Sequence, residues 1–205
     1  MRASIEALTV RETREAADIL ARAFRDNPLN LGVIGPRSPS RRLRINREGM
    51  RSLLPVACDH GVVLGARMGR DLAGALIATE PGGYPLPAPA LGARLRTLVV
   101  QGPRVTRRWN AVFQALHALH PAEPHAYLGT LGVGPTAQRR GIGSALLAHW
   151  LAAVDADGRP AYLETDKAEN LAFYAAVGFE VAQETEIFGA RVWCMRRPAR
   201  TPVSH

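Results

Sequence analysis

The sequence predicts a mixed α/β domain, a central sheet flanked by helices, with a helical insertion ahead of the central strand. Short apolar runs of strand length alternate with stretches of helical period along the chain. Its 205 residues are the length of one domain, spanning 1–205, enough to bury most apolar surface without metals or disulfides. Residues 81–122 break the alternation with a Pro/Gly-rich segment and two helical stretches, too few residues for an independent core.

The elements follow in order. "SIEALTV" alternates weakly and reads as a strand. "TREAADILARAF" places Ala16, Ile19, Leu20 and Phe24 at helical spacing, with Thr13 as the expected cap. "NPLNLGVIGPRSPS" reads as turn chemistry, and a helix from about Pro39 to Ala57 is expected to turn Leu43, Met50, Leu53 and Leu54 inward. "GVVLGARMGRDLAGALIATE" reads as a hairpin turning at "GRD". Within the insertion, helices are expected over roughly 90–100 and 104–119. "HAYLGTLGV" restores the sheet, and the next helix carries Ile142, Leu146, Trp150 and Val154 on one face. "PAYLET" is a strand, "ENLAFYAAVGF" a short helix ending at Gly178, and "EVAQETEIFGARVWCMRR" a closing hairpin.

Charge and cysteine content narrow the function. The net charge is +8, carried almost wholly by arginine, with Lys167 the one lysine. Such a chain attracts anionic ligands, a phosphorylated cofactor among them. The arginines are not interleaved with aromatic residues, so nucleic acid is not an expected partner. Arg41, Arg42, Arg44, Arg47 and Arg51 read as a solvated helix edge. Cys58 and Cys194 lie far apart and read as free thiols of a reducing compartment. The N-terminal stretch carries charges every few residues, and no run approaches membrane-spanning length, so a cytoplasmic protein is expected, without membrane attachment. Oligomeric state stays open, with a homodimer among the states allowed. His117, His120 and His125 have a metal-like look, but histidines at i and i+3 on an exposed helix face read as solvated, and no metal is expected.

The most informative stretch is "GVGPTAQRRGIGSALLAHW", residues 132–150. A strand ending in a turn that opens a helix presents unpaired N–H groups and a positive dipole end, an anion site. Gly141 and Gly143 permit close approach and Arg139 and Arg140 add charge. The same residues would also serve a plain strand-to-helix connection. A P-loop is excluded because no lysine stands here, and a dinucleotide fingerprint because Leu146 and Ala137 occupy the third glycine positions.

"QRRGIG" at 138–143, the preceding "LGV", the following helix and "ENLAFYAAVGFEV" together resemble the GNAT superfamily of N-acetyltransferases. The resemblance is close from His125 to Arg197. With "AYLET" and the terminal "WCM", it is most similar to the branch that includes puromycin N-acetyltransferase. It departs from that branch at Asp166, where a small polar residue is usual, and at Glu169, where arginine is usual.

The resemblance implies a GNAT-type sheet splayed around acetyl-coenzyme A, and direct acetyl transfer to a primary amine of a small molecule. It implies that Gln138, Arg139, Arg140, Gly141, Ile142, Gly143 and Ser144 wrap the pyrophosphate. The backbone of Leu131 and Val133 would pair with the pantetheine arm, with Gly132 between them also cofactor-binding, the Leu131 amide polarising the thioester carbonyl, and Asn170 would hydrogen-bond the arm. It further implies Tyr174 as the acid, since a phenol of pKa about 10 can protonate a thiolate whose conjugate acid has pKa about 8.5. An amine mostly protonated at pH 7 also requires a proton acceptor. Glu164 leads, with His125 and Glu123 behind it. Cys194 has no histidine near it in sequence, so a covalent route is not expected. The segment 25–40 and the insertion are expected to line the acceptor side. Rival readings are a protein N-terminal or lysine acetyltransferase and a non-catalytic coenzyme A sensor.

Overall fold

The computed structural model describes residues 3–36 and 38–200. Seven strands form one sheet in the order β1-β2-β3-β4-β5-β7-β6: β1 Ser4–Ala7, β2 Val62–Met68, β3 Asp71–Thr79, β4 Ala126–Val133, β5 Ala161–Thr165, β6 Glu180–Ile187 and β7 Ala190–Arg197. All neighbours are antiparallel except β4 and β5. The helices are α1 Thr13–Ala23, α2 Pro28–Ile34, α3 Pro39–His60, α4 Leu91–Gln101, α5 Pro103–Leu119, α6 Ile142–Ala156 and α7 Glu169–Ala175.

The period of two along β3 divides the core. Leu76 and Ala78 join Leu146, Leu147 and Trp150 of α6 on one face, whereas Ala75 and Ile77 join Leu20 of α1 and Leu54 of α3 on the other. A third cluster, Val33, Ile45, Val105, Val112, Ile187 and Val192, ties α2 and the insertion to α3 and β7. No helix among the described residues is long and apolar enough to cross a membrane.

Four local expectations are corrected. Thr13 is the first residue of α1 rather than its cap, which is Glu12: Thr9 caps a 3-10 turn over Val10–Glu12 that leads into the helix, its N–H donating to Glu12 Oε2 at 2.9 Å. Residues 27–40 contain α2, started by extended Asn27 and by Pro28 in its first turn. The α3 helix continues past Ala57 to His60 and accommodates Pro55. Arg42 leaves the solvated edge altogether. The residue is 4% exposed, and its guanidinium donates to the carbonyls of Arg25 and Pro36 and to Asp26 Oδ1 at 3.0, 2.6 and 2.6 Å.

Candidate active site

The sheet opens in its middle. The parallel strands pair only at Ala126–Ala161, Tyr127–Tyr162 and Leu128–Leu163. Beyond that level β4 stays on β3 and β5 stays on β7. At the divergence β4 carries a bulge: Ile77 faces Thr130 and Ala78 faces Leu128, which leaves the exposed Gly129 without a partner on β3. Strand edges freed in this way can take an extended ligand as a further strand. Leu131 and Val133 lie on this stretch with half-buried side chains on the core, and the Gln138 side chain donates to the Val133 carbonyl at 3.1 Å. Gly132 faces the opposite way, where a Cβ would stand 2.7 Å from Leu20 and 3.0 Å from Phe24. That close approach of α1 to β4 leaves little room for a side chain at position 132.

The turn after β4 has the form of an anion cradle. Arg139 and Gly141 both take left-handed backbone, at φ 60° and 76°. The first bond of α6 runs from the Ala145 N–H to the Gly141 carbonyl, so the N–H groups of Gly141, Ile142, Gly143 and Ser144 have no partner within the helix. Arg139, Arg140, Gly141 and Ser144 are exposed. A Cβ at Gly143 would meet only Val133 and Phe173, at 3.7 and 3.8 Å, so this turn borders the opening of the sheet. Free N–H groups, the dipole end and two guanidinium groups suit a phosphate. The residues present therefore fit a phosphorylated ligand whose arm lies along β4.

Beyond β5, the Asn170 side chain donates to Thr165 Oγ1 at 3.0 Å. Tyr174 on α7 is buried in the α6-side core. Burial, and then the charge of Asp166, push its phenol above the ordinary tyrosine value, so it stays protonated at neutral pH. Asp166 also explains α2. Its Oδ2 accepts from the Leu29 N–H at 2.9 Å and its Oδ1 from Asn27 Nδ2 at 3.1 Å, capping that helix from across the chain. Asp166→Ala is expected to destabilise the fold by about 1 kcal/mol, the usual cost of a lost cap, read as a lowered midpoint in urea. An unchanged midpoint would mean that α2 holds its place by packing alone.

Glu164 points to the other face, because it alternates with the core residue Leu163. Its side chain is 7% exposed and faces a cluster of rings. The Tyr127 hydroxyl donates to Glu164 Oε2 at 2.8 Å, and His120 Nδ1 lies 3.8 Å from Oε1. Tyr84, from the proline-rich stretch, stacks on His120 at 3.9 Å between ring centres and meets Tyr127 at 4.9 Å. The two ends of the insertion thus close over the carboxylate. Burial, and then Glu164, raise the phenols of Tyr127 and Tyr162, which remain neutral. His120 Nδ1, the Tyr162 hydroxyl and Glu164 Oε1 are buried without hydrogen-bond partners. Buried polar atoms left open at one place mark a site for a further polar group.

The structure brings most of the sequence-nominated residues to the splay. Leu131, Val133, Ile142 and Tyr174 lie with the α6-side core, Gly132 faces α1, and Glu164 lies on the face opposite Leu163. Glu123 does not join them: its side chain is exposed near Arg196, and only its carbonyl takes part, accepting from His125. His120, read as solvated, is buried, whereas His117 is exposed. Cys194 stands beside Glu164 in the β5–β7 ladder, and burial raises its thiol, which disfavours the thiolate a nucleophile would need. Tyr84, Tyr127 and Tyr162 were missed as site residues. Tyr127 opposite Tyr162, two residues from Glu164, was the available signal.

Comparison with known proteins places this geometry. Residues 97–179 match the model of the acetyltransferase (GNAT) family. Among solved structures, the histone acetyltransferase HPA2 and related acetyltransferase from Corynebacterium glutamicum superposes with a TM-score of 0.75 at 21% identity, covering 100% of both chains. The PaiA N-acetyltransferase from Thermoplasma acidophilum, in complex with coenzyme A, gives a TM-score of 0.61 at 15% identity over 97% of this chain and 99% of its own. The ribosomal-protein-S18-alanine N-acetyltransferase from Escherichia coli gives 0.57 at 16% identity over 99% of each. At these identities the structural likeness is one of fold. The open seven-stranded sheet flanked by helices is the GNAT fold, and acetyltransferases of that family use acetyl-coenzyme A.

Proposed function

From the GNAT fold and the family match, we propose that this chain is an acetyl-coenzyme A-dependent N-acetyltransferase of small-molecule primary amines, acting by direct attack. One observation carries the proposal: the splay of β4 and β5 lies between an anion cradle at the start of α6 and a buried carboxylate, Glu164, on the opposite face. Gln138, Arg139, Arg140 and the free N–H groups of Gly141 to Ser144 would hold the pyrophosphate. The backbone of Leu131 to Val133 and the Asn170 side chain would hold the pantetheine arm.

The bound donor supplies an acetyl thioester. Glu164 removes a proton from the entering ammonium and leaves a neutral nucleophile. The Leu131 amide would stabilise the negative charge that develops on the thioester oxygen. Tyr174, neutral and buried, would supply the proton to the departing sulfur. A small molecule suits the acceptor side, because Tyr84 stacks on His120 beside a Glu164 side chain that is almost wholly buried. Resemblance to the branch that includes puromycin N-acetyltransferase supports the same class. In this chain Asp166 is engaged in capping α2, so the acceptor is expected to differ from puromycin.

A protein acceptor is the second reading, favoured by the histone acetyltransferase and the ribosomal-protein-S18-alanine N-acetyltransferase among the structural neighbours. The deciding experiment is thiol release from acetyl-coenzyme A with aminonucleosides, polyamines, amino acids and peptides. Turnover of a small amine class with inert peptides supports the proposal, and turnover of peptides alone replaces it with the second reading. Tight binding of acetyl-coenzyme A with no acceptor acetylated would favour a sensor.

A further inference from the structure

The protons of the His120–His125 imidazole pair are fixed by their surroundings. His125 Nδ1 lies 2.6 Å from the Glu123 carbonyl oxygen, which can only accept, so Nδ1 carries a hydrogen. Burial holds the His125 imidazole below its ordinary pKa, and it is neutral near pH 7. Its Nε2 therefore presents a lone pair. His120 Nε2, 2.8 Å away, must be the donor to it. In its neutral form His120 then has its lone pair on Nδ1, which faces Glu164 Oε1 at 3.8 Å. Neither atom has another partner, and both side chains are more than nine-tenths buried. Two acceptors face one another across a gap that one proton would complete.

We propose that Glu164 and His120 act as a dyad that together takes the proton of the acceptor ammonium, with His125 as the positioning residue that fixes the His120 tautomer. This rests on the acetyltransferase reading for its substrate, but the proton arrangement belongs to the free protein. One N–H bond of the ammonium breaks, and one bond to hydrogen forms at Glu164 Oε1 or His120 Nδ1. No electrons are transferred. The resulting imidazolium still donates from Nε2 to His125, so the charge forms without breaking the existing bond. The proton passes to water when product leaves. Around the dyad stand Tyr84 from the proline-rich segment, Tyr127 of β4 and Tyr162 of β5, all neutral, while Arg196 of β7 acts on His125.

The test is long-range proton–nitrogen NMR of the imidazoles in the full chain without ligand, the His120 signals being assigned with His120→Gln. The expected result is a His120 hydrogen on Nε2, a His125 hydrogen on Nδ1, and a His120 titration that moves to lower pH in Glu164→Gln. In His125→Phe, His120 should lose its single tautomer. With an acetylated amine in hand, kcat of His125→Phe should fall on the order of tenfold, less than the 10²–10⁴ carried by an acid–base group itself. His125→Gln, whose carbonyl can accept from His120, should restore much of it, with KM for acetyl-coenzyme A unchanged in both. A hydrogen on His120 Nδ1, or a titration indifferent to Glu164→Gln, overturns the dyad. If the tautomers and titration are as expected but no amine is acetylated, the proton arrangement stands and the acetyltransferase reading, with the dyad's role in it, has failed.

Discussion

Tyr174→Phe is expected to lower kcat for amine acetylation by about 100-fold, the lower end of what an acid–base group contributes, while acetyl-coenzyme A still binds. The substitution deletes one hydroxyl from a ring that packs beside Phe173 and Phe179, and the apolar packing survives. Only the proton is lost. Because burial and Asp166 hold the phenol above its ordinary value, it is protonated throughout the working range, and a thiolate of conjugate pKa about 8.5 would leave without its donor. Steady-state thiol release beside calorimetric binding separates the two effects. An unchanged kcat would assign the proton to water and make Tyr174 a packing residue. A collapse of binding would instead make its main contribution the shape of the cofactor side.

What could be read from the sequence was local. The β2–β3 hairpin, the buried face of α6 and the β6–β7 hairpin depend on residues close in the chain, and Phe188 and Gly189 take the left-handed backbone a tight hairpin needs. The cradle after β4 was legible for the same reason, since its glycines and arginines are contiguous. Elements made by distant partners were not. The α2 helix takes its cap from Asp166, so residues 27–34 alone show only turn chemistry. Arg42 is buried because Asp26 and three carbonyls, of Arg25, Gly35 and Pro36, surround its guanidinium, an arrangement helical periodicity does not encode. His120 was placed on a helix face shared with His117. It lies one residue beyond α5 in extended conformation, which turns it inward to Glu164.

Asp155→Asn is expected to destabilise the fold by about 3 kcal/mol, because it leaves Arg197 as a buried charge without its counterion. The Arg197 side chain is 2% exposed and reaches Asp155 through two bonds of 2.5 and 2.8 Å, with a third from Nε to the Val177 carbonyl at 2.8 Å. The lower end of the usual range applies because Asp155 keeps some contact with water. A carboxylate in the last turn of α6 opposes the helix dipole, so its favourable contribution comes from Arg197 rather than from the helix. Arg197 holds the Asp155 carboxyl below its usual pKa. The pair therefore contributes fully above the unfolded value of about 3.9 and loses its effect as pH falls through the depressed folded value. Urea midpoints of the two proteins should differ widely at pH 7 and converge in acid. Equal midpoints at pH 7 would show that Arg197 finds another acceptor. Because Val177 follows the helix that carries Tyr174, Asp155→Asn should also lower kcat, and restoring stability with a ligand that binds the fold elsewhere should not recover it if the loss comes from a displaced phenol.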